Sequence, residues 1–255
     1  MLLLASAAFT ACGGHKNARV NAPPPPPIAS PQPQTSPAVS GAPVSPAQPA
    51  PAPSAGEDIE GTEAAFSLPP DAKALSVETG VASWYGPPYH NRRGSNGEVY
   101  DMNSFTAAHR TLALGSIVRV TNLKTGHVAV VRITDRGPFV DGRVIDLSLA
   151  AAKRIDVWRA GLAPVRLEVL RTPVPAKAGG RWAVQIGAFG EEGPALDLAS
   201  HLSARYHSAK VLHFSSPIGD WWVRVRVLDD DRTRAEEVAR DTRTREGSIF
   251  LVRLD

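Results

Sequence analysis

Two carboxylic acids and one imidazole stand where glycine or a turn sets a polar side chain apart: Glu98 in Asn96-Gly-Glu98, His109 closing Thr106-Ala-Ala-His109, and Asp135 in Thr134-Asp-Arg-Gly-Pro-Phe139. Carboxyl groups and imidazoles are the side chains best suited to passing a proton to or from a reacting group near neutral pH. Taken alone, these residues leave their roles open. Asp135 also reads as the cap of a tight Asp-Arg-Gly-Pro turn, Glu98 as solvated surface, and His109 as a hydrogen-bonded structural histidine. If the strand before it keeps period two to its end, Asp135 shares a face with Val131 and Ile133, with Arg132 and Arg136 on the other. An apolar setting of that kind raises the pKa of a carboxyl, as a general acid requires. Asp146, inside the apolar run Val144-Ile-Asp-Leu147, reads as an anchor for a loop.

A second constellation lies further along. In Arg181-Trp-Ala-Val-Gln-Ile-Gly-Ala-Phe189, Trp182, Val184 and Ile186 alternate onto one face. In the run from Trp221, Trp221, Val223, Val225 and Val227 do the same. Those faces are expected to pack under helices, which leaves Gln185, Trp222, Arg224 and Arg226 opposite. An indole stacks on a pyranose, a glutamine bonds hydroxyls and a guanidinium forks onto a carboxylate, so the combination suits a sugar. The other reading is a solvated sheet face.

The elements that position these groups fall into two blocks. Fifteen of the 23 prolines lie between Pro23 and Pro70, among Ala, Ser and Gln with almost no large apolar residue. Such a stretch buries too little to offset the entropy of ordering and reads as a disordered linker, so the folded part starts near Ser76. From 76 to 171, short β-like runs (Gly80–Tyr85, Ile117–Thr121, His127–Thr134, Val144–Leu147, Val165–Leu170) alternate with turn residues, and Asn122-Leu-Lys-Thr-Gly126 reads as a hairpin turn. One alanine-rich helical stretch runs from Ser148 to Trp158. Close-set short strands predict a small closed barrel. After a linker at 172–179, residues 180–255 predict a β-α-β-β-α-β order, one sheet backed by two helices, with the third strand running to Leu228.

The amino terminus adds a signal of its own. Residues 1–11 are apolar or small and lead into Cys12, the sole cysteine, followed by Gly13 and Gly14. The run is too short to span a bilayer and resembles the end of a bacterial lipoprotein signal peptide, in which the cysteine is lipidated. The absence of Asp after Cys12 implies, by that resemblance, sorting to the outer membrane. A tether of roughly 60 residues (12–75) reaches on the order of 190 Å in extended polyproline form, enough to touch the cell wall. Phe9 stands where such signals usually carry leucine, and no basic segment precedes the run.

Net charge is +3 with both signs interspersed, and no long basic run or aromatic-basic stripe points to nucleic acid. Seven scattered histidines show no paired ligand spacing, so neither a metal nor another cofactor is expected.

The motifs Ala82-Ser-Trp-Tyr-Gly86, Asn96-Gly-Glu-Val-Tyr-Asp101, Thr106-Ala-Ala-His109, Val118-Arg-Val-Thr-Asn122 and Thr134-Asp-Arg-Gly-Pro-Phe139, then Arg143-Val-Ile-Asp-Leu-Ser148, together resemble the RlpA-type double-psi β-barrel, which is six-stranded. Gly94 replaces the family's usual threonine, with Ser95 keeping a hydroxyl nearby. The resemblance implies lytic cleavage of peptidoglycan glycan strands, with Asp135, Glu98 and His109 as catalytic positions. Tyr85 and Ser83 are expected to bind the substrate, and of Tyr85 and Trp84, both candidates to line a sugar groove, one reads as core. By this reading Asp135 is the acid/base, Glu98 stabilises charge or positions the sugar, and His109 hydrogen-bonds one of the two carboxylates. The Val184-Gln-Ile-Gly-Ala-Phe189 run with Trp222-Val-Arg-Val-Arg-Val227 resembles a SPOR domain, an α+β fold whose partner is septal peptidoglycan stripped of its stem peptides. Leu228-Asp-Asp-Asp stands in place of that family's Gly-Pro turn. Two further classes remain beside the enzyme: a non-catalytic glycan-binding lipoprotein, with division proteins as possible partners, and a hydrolase of related form.

Overall fold

The computed structural model describes residues 72–174 and 179–255, together with Phe66 and Leu68. The expected leader, Cys12 and the proline-rich tether lie outside the described residues, as does the middle of the 172–179 linker.

Six strands form the first unit: β1 (Ser76–Trp84), β2 (Thr106–His109), β3 (Ile117–Asn122), β4 (Val128–Asp135), β5 (Arg143–Leu147) and β6 (Ala163–Arg171). They close into a barrel in the order β1-β5-β2-β4-β3-β6. The β1–β5 and β2–β4 pairs are parallel and the other four antiparallel. Alternate residues point inward, so Val118 and Val120, Val131 and Ile133, and Ile145 and Leu147 meet in one core. Each such side chain contributes about 1.5–3 kcal/mol by leaving water. β2 is the strand missing from the sequence expectation. Its four residues include two alanines and carry no run of β-branched side chains, yet it is buried throughout between β4 and β5. Small residues are needed there because Ala107 shares the core with the helical Ala151 and Ala152.

The expected helix from Ser148 to Trp158 is two pieces, α1 (Leu149–Arg154) and α2 (Val157–Ala160). The buried Ser148 hydroxyl caps α1 by accepting the Ala151 N–H at 3.2 Å. The break falls at Asp156, which takes a left-handed φ of 61°. Just before it, the Ile155 carbonyl accepts Asn122 Nδ2 at 2.7 Å, while Asn122 Oδ1 accepts the Lys124 N–H at 2.9 Å. Asn122 therefore ties the β3–β4 hairpin to the end of α1 with a side chain that is 2% exposed.

The second unit contains β7 (Trp182–Phe189), α3 (Glu192–Arg205), β8 (Lys210–Ser215), β9 (Trp221–Arg226), α4 (Arg232–Asp241) and β10 (Ser248–Arg253). The sheet order is β10-β7-β9-β8, antiparallel throughout. Trp182, Val184, Ile186, Val223 and Val225 face Ala195, Ala199 and Leu202 of α3 and Ala235 and Val238 of α4, as strand alternation predicts. β9 stops at Arg226 rather than Leu228. A short 3₁₀ turn follows, with Asp229 and Asp230 at φ of 61° and 50°. It swings the Asp230 carboxylate back onto the guanidinium groups of Arg226 and Arg181. Among the described residues no helix is long and apolar enough to cross a membrane.

Replacing Asn122 with alanine leaves the buried Ile155 carbonyl without its donor and is expected to cost about 2 kcal/mol. Urea unfolding of the 72–255 fragment measures it, as a lower midpoint with an unchanged slope.

Candidate functional site

The site begins with how β4 ends. Inward positions on β4 are Ala129, Val131 and Ile133, so strict alternation would send Asp135 inward as well. The ladder to β2 slips at that point: Ala107 pairs with Ile133, but the next residue, Ala108, pairs with Asp135. Two residues of β4 thus oppose one of β2, which is a bulge, and the extra residue reverses the facing of the side chains beyond it. Asp135 turns away from the core to the side of Arg132. The expectation that it shares the face of Val131 and Ile133 is corrected, because period two assumes an unbroken ladder.

Its setting is polar as well. Oδ1 accepts the Ser95 N–H at 2.9 Å, the Ser95 hydroxyl at 2.5 Å and the Arg136 N–H at 2.8 Å. Among the described residues Oδ2 receives no bond. The apolar pocket expected around Asp135 is therefore absent.

The turn at 94–98 is fastened to this strand end. Asn96 N–H donates to the Thr134 carbonyl at 3.2 Å, and Gly94 N–H to the Glu98 carbonyl at 2.9 Å. Gly94 lies close enough that a Cβ there would meet the Thr134 carbonyl oxygen at 3.3 Å. Glu98 is brought to the same open cleft, of about 70 Å³, that Asp135, Arg132 and Thr106 line. Arg132 grips the Glu98 carboxylate with both terminal nitrogens, at 3.1 and 2.7 Å. Hydrogen bonding from Arg132 holds Glu98 below the usual carboxylate range, so it is ionised at neutral pH. Arg132 and Ser95 complete the site; alternation on β4 marks the outward Arg132, while the Ser95 contact depends on how the loop folds back.

A row of residues crosses four adjacent strands on this outward face. Ser83 pairs with Asp146, Asp146 with Ala108, and Ala108 with Asp135. Two carboxylates thus flank one alanine, their Cα atoms about 10 Å apart across two strand spacings. Ser83, 7% exposed, ends this row and is not among the residues that line the cleft. Tyr85 stacks on Tyr100 with ring centroids 4.3 Å apart and meets Tyr89 edge-on at 5.9 Å, forming an aromatic wall. Trp84 instead packs against the barrel core. Asp146 does more than anchor a loop. Oδ2 meets Arg143 at 3.2 Å, Oδ1 is buried without a hydrogen bond, and burial pushes the group up to about 6.

His109 bonds neither Glu98 nor Asp135, against expectation. Nδ1 accepts the N–H groups of Thr111 and Leu112 at 3.2 and 3.1 Å, which places the proton on Nε2, 3.4 Å from Glu78 Oε2. The contact with His109 holds Glu78 below its ordinary value. The reason is again alternation: Ala108 faces outward, so its neighbour His109 does not. The link from His109 to the site runs through Arg136, whose guanidinium donates to the His109 and Leu112 carbonyls at 3.0 and 2.6 Å.

The second constellation shares a sheet face as expected, with Phe250, Gln185 and Arg224 in register across β10, β7 and β9. That face is not open. Gln185 is 2% exposed, Trp222 7% and Phe250 6%. Arg224 donates twice to Gln185 Oε1, at 3.0 and 2.5 Å, and Arg226 is held by Asp230 at 3.0 and 2.6 Å. Covering comes from the barrel, which strand alternation within one domain does not reveal.

The raised Asp146 sets a pH dependence. A carboxyl with a folded pKa near 6, above its unfolded value near 4, binds its proton more tightly when folded, so stability falls as pH rises from about 4 to 6 and is flat above. The span is about 3 kcal/mol. Urea unfolding between pH 4 and 7 should show that loss as the difference between the native chain and Asp146→Asn.

Comparison with known proteins matches the two units separately. The lytic transglycolase family matches residues 77–167, and the SPOR domain family residues 178–248. The chain is 57% identical over 101 residues to the endolytic peptidoglycan transglycosylase RlpA of Vibrio cholerae, covering 40% of this chain and 38% of that protein. It is 39% identical over 162 residues to the protein of the same name from Helicobacter pylori, covering 52% of each. The chain thus aligns with about a third to a half of the length of these relatives. Among solved structures, Streptomyces papain inhibitor aligns with 40% of this chain and all of its own at 23% identity and a TM-score of 0.33. The six-stranded barrel thus matches the lytic transglycolase family, the domain that follows it matches the SPOR family, and the chain is similar to RlpA proteins over part of their length.

Proposed function

We propose that this chain is an endolytic peptidoglycan lytic transglycosylase that cuts between N-acetylmuramic acid and N-acetylglucosamine and prefers peptide-stripped strands at the division septum. The observation that carries the reading is the open cleft lined by both Glu98 and Asp135. The relatives named for this activity supply its reaction class.

The chemistry depends on which carboxylate oxygens are free. Asp135 is the acid/base. Three donors fix Oδ1 and leave Oδ2 to exchange a proton with substrate. Protonated Asp135 gives its proton to the glycosidic oxygen as the bond from that oxygen to C1 breaks. The same carboxylate then takes the proton of the sugar's 6-hydroxyl while O6 bonds to C1, closing a 1,6-anhydro ring without water. Positive charge builds on the ring between these steps. The ionised Glu98, pinned by Arg132, lies where a negative charge offsets it. Tyr100, which lines the cleft with Tyr85 stacked on it, offers an aromatic ring to the sugar. Asp146 lies beneath this wall and outside the cleft, and its protonation sets the charge beside Tyr85. His109 is a positioning residue, acting through Arg136, whose N–H holds Asp135.

The C-terminal domain adds a second hold on the glycan through Gln185, Trp222 and Arg224; Arg226, tied to Asp230, takes no part. Cys12 carries the lipid that anchors the chain to the periplasmic face of the outer membrane, and the tether lets the barrel reach the wall.

Digestion of denuded and peptide-bearing sacculi, with soluble products identified by mass spectrometry, tests the activity. Anhydro-ended sugars, more from denuded sacculi, are expected. Reducing ends would make the protein a hydrolase, and binding without products a glycan-binding lipoprotein.

Asp135→Asn should lower turnover by at least about 10²-fold. Glu98→Gln should lower it by roughly 10²-fold with little change in KM, since the charge acts on the transition state. Full activity in Asp135→Asn would remove the acid/base assignment.

A further inference from the structure

The loop that carries Asp135 is also the part of the barrel seated on the C-terminal sheet. Phe139, four residues on, lies with its ring centroid 5.3 Å from Trp222 and 5.8 Å from Phe250. The Arg110 guanidinium stands over Phe250 at 5.4 Å and also donates to the Pro138 carbonyl at 2.8 Å. At one edge the Ser248 hydroxyl bonds Asp141 Oδ2 at 2.5 Å. At the other, Arg253 N–H donates to the Arg110 carbonyl at 2.9 Å, and Arg136 Nη2 to the Asp255 carbonyl at 2.6 Å. Aromatic stacking, a charge over a ring and hydrogen bonds on both sides make this a built contact.

What it covers matters. The Trp222 indole packs against the backbone of Gly187, where φ is 152° and an added Cβ would meet it at 2.7 Å. Phe139 packs against the same indole with its ring tilted by 53°. Gln185 and Arg224, the hydroxyl- and carboxylate-binding groups beside it, are turned onto each other. A stripped glycan strand, with its pyranose faces and lactyl carboxylates, needs the same indole and the same guanidinium.

We propose that the C-terminal sheet is a shared docking surface, for which the barrel's Arg136–Asp141 loop and a peptide-stripped glycan strand compete. In the closed arrangement Phe139 takes the place of a sugar ring on Trp222. Stripped glycan displaces it and frees the loop that holds Asp135. This rests on the reading that the C-terminal domain binds stripped glycan.

A reversible lock tests it in the full chain. With Cys12→Ser removing the native thiol, Asp141→Cys and Ser248→Cys place thiols at the Cγ position of Asp141 and the Oγ position of Ser248, two side chains whose oxygens now meet at 2.5 Å, and small side-chain adjustments bring the sulfurs into bonding range. Binding to denuded sacculi is measured with the pair oxidised and reduced. At least tenfold weaker binding in the oxidised form, restored by reductant, is expected, and Phe139→Ala should bind several-fold more tightly than the native chain. Equal binding in both redox states overturns the competition while leaving the glycan reading intact. Absence of binding in the reduced form, and in a native chain prepared alongside, overturns the glycan reading and the competition with it. Failure of the pair to cross-link under oxidant overturns the closed contact itself.

Discussion

The ladder slip between β2 and β4 is the constraint on which the site depends. An unbroken β4 would aim Asp135 into a core of Val131, Ile133 and Ile145, where an aspartate has no partner. One extra residue sends it outward, where Ser95 and the Arg136 N–H meet it. The turn at 94–98 can then fasten to the strand end, and the same turn delivers Glu98. A bulge at a barrel rim is a common way to re-aim a side chain. Here it converts a core position into the edge of a cleft.

Three carboxylates near the cleft are set apart by their surroundings. Glu98 is exposed and gripped by two nitrogens of Arg132, which favours its charge. Asp146 is enclosed with one oxygen unpartnered, which disfavours its charge. Asp135 lies between them in position, one oxygen saturated by donors and the other open to the cleft. Hydrogen bonding thus pushes Glu98 down and burial pushes Asp146 up. The spacing is fixed by the sheet itself, since Asp146 and Asp135 flank Ala108 on neighbouring strands.

Arg136 joins this chemistry to the second domain. Its backbone holds Asp135, and its buried guanidinium bonds carbonyls of His109, Leu112 and Asp255. Burial lowers its pKa to about 10, which still leaves it charged at neutral pH. A charge enclosed at that depth needs acceptors, and the carbonyls of His109, Leu112 and Asp255 supply them, so the geometry of the Asp135 loop and the seating of the C-terminal domain are linked through one side chain.

Local pattern alone determined the hairpin at Asn122–Gly126, the order of elements in the second unit and the inward sets Trp182, Val184, Ile186 and Val223, Val225. These come from period two, turn residues and the need to bury apolar side chains, all of which act between near neighbours. Glu98 and Asp135 were singled out by the resemblance of their motifs, since local pattern left each with a structural reading as well, and both line one cleft. Tertiary structure decided the features that depend on distant chain. The facing of Asp135 came from a register slip against β2, a strand too short and too poor in β-branched residues to be read. The turning of His109 to Glu78 and the break after α1 at Asn122 needed partners about 30 residues away. Covering of Gln185, Trp222 and Arg224 needed the other domain. Alternation states which side chains share a face. Only packing states what that face meets.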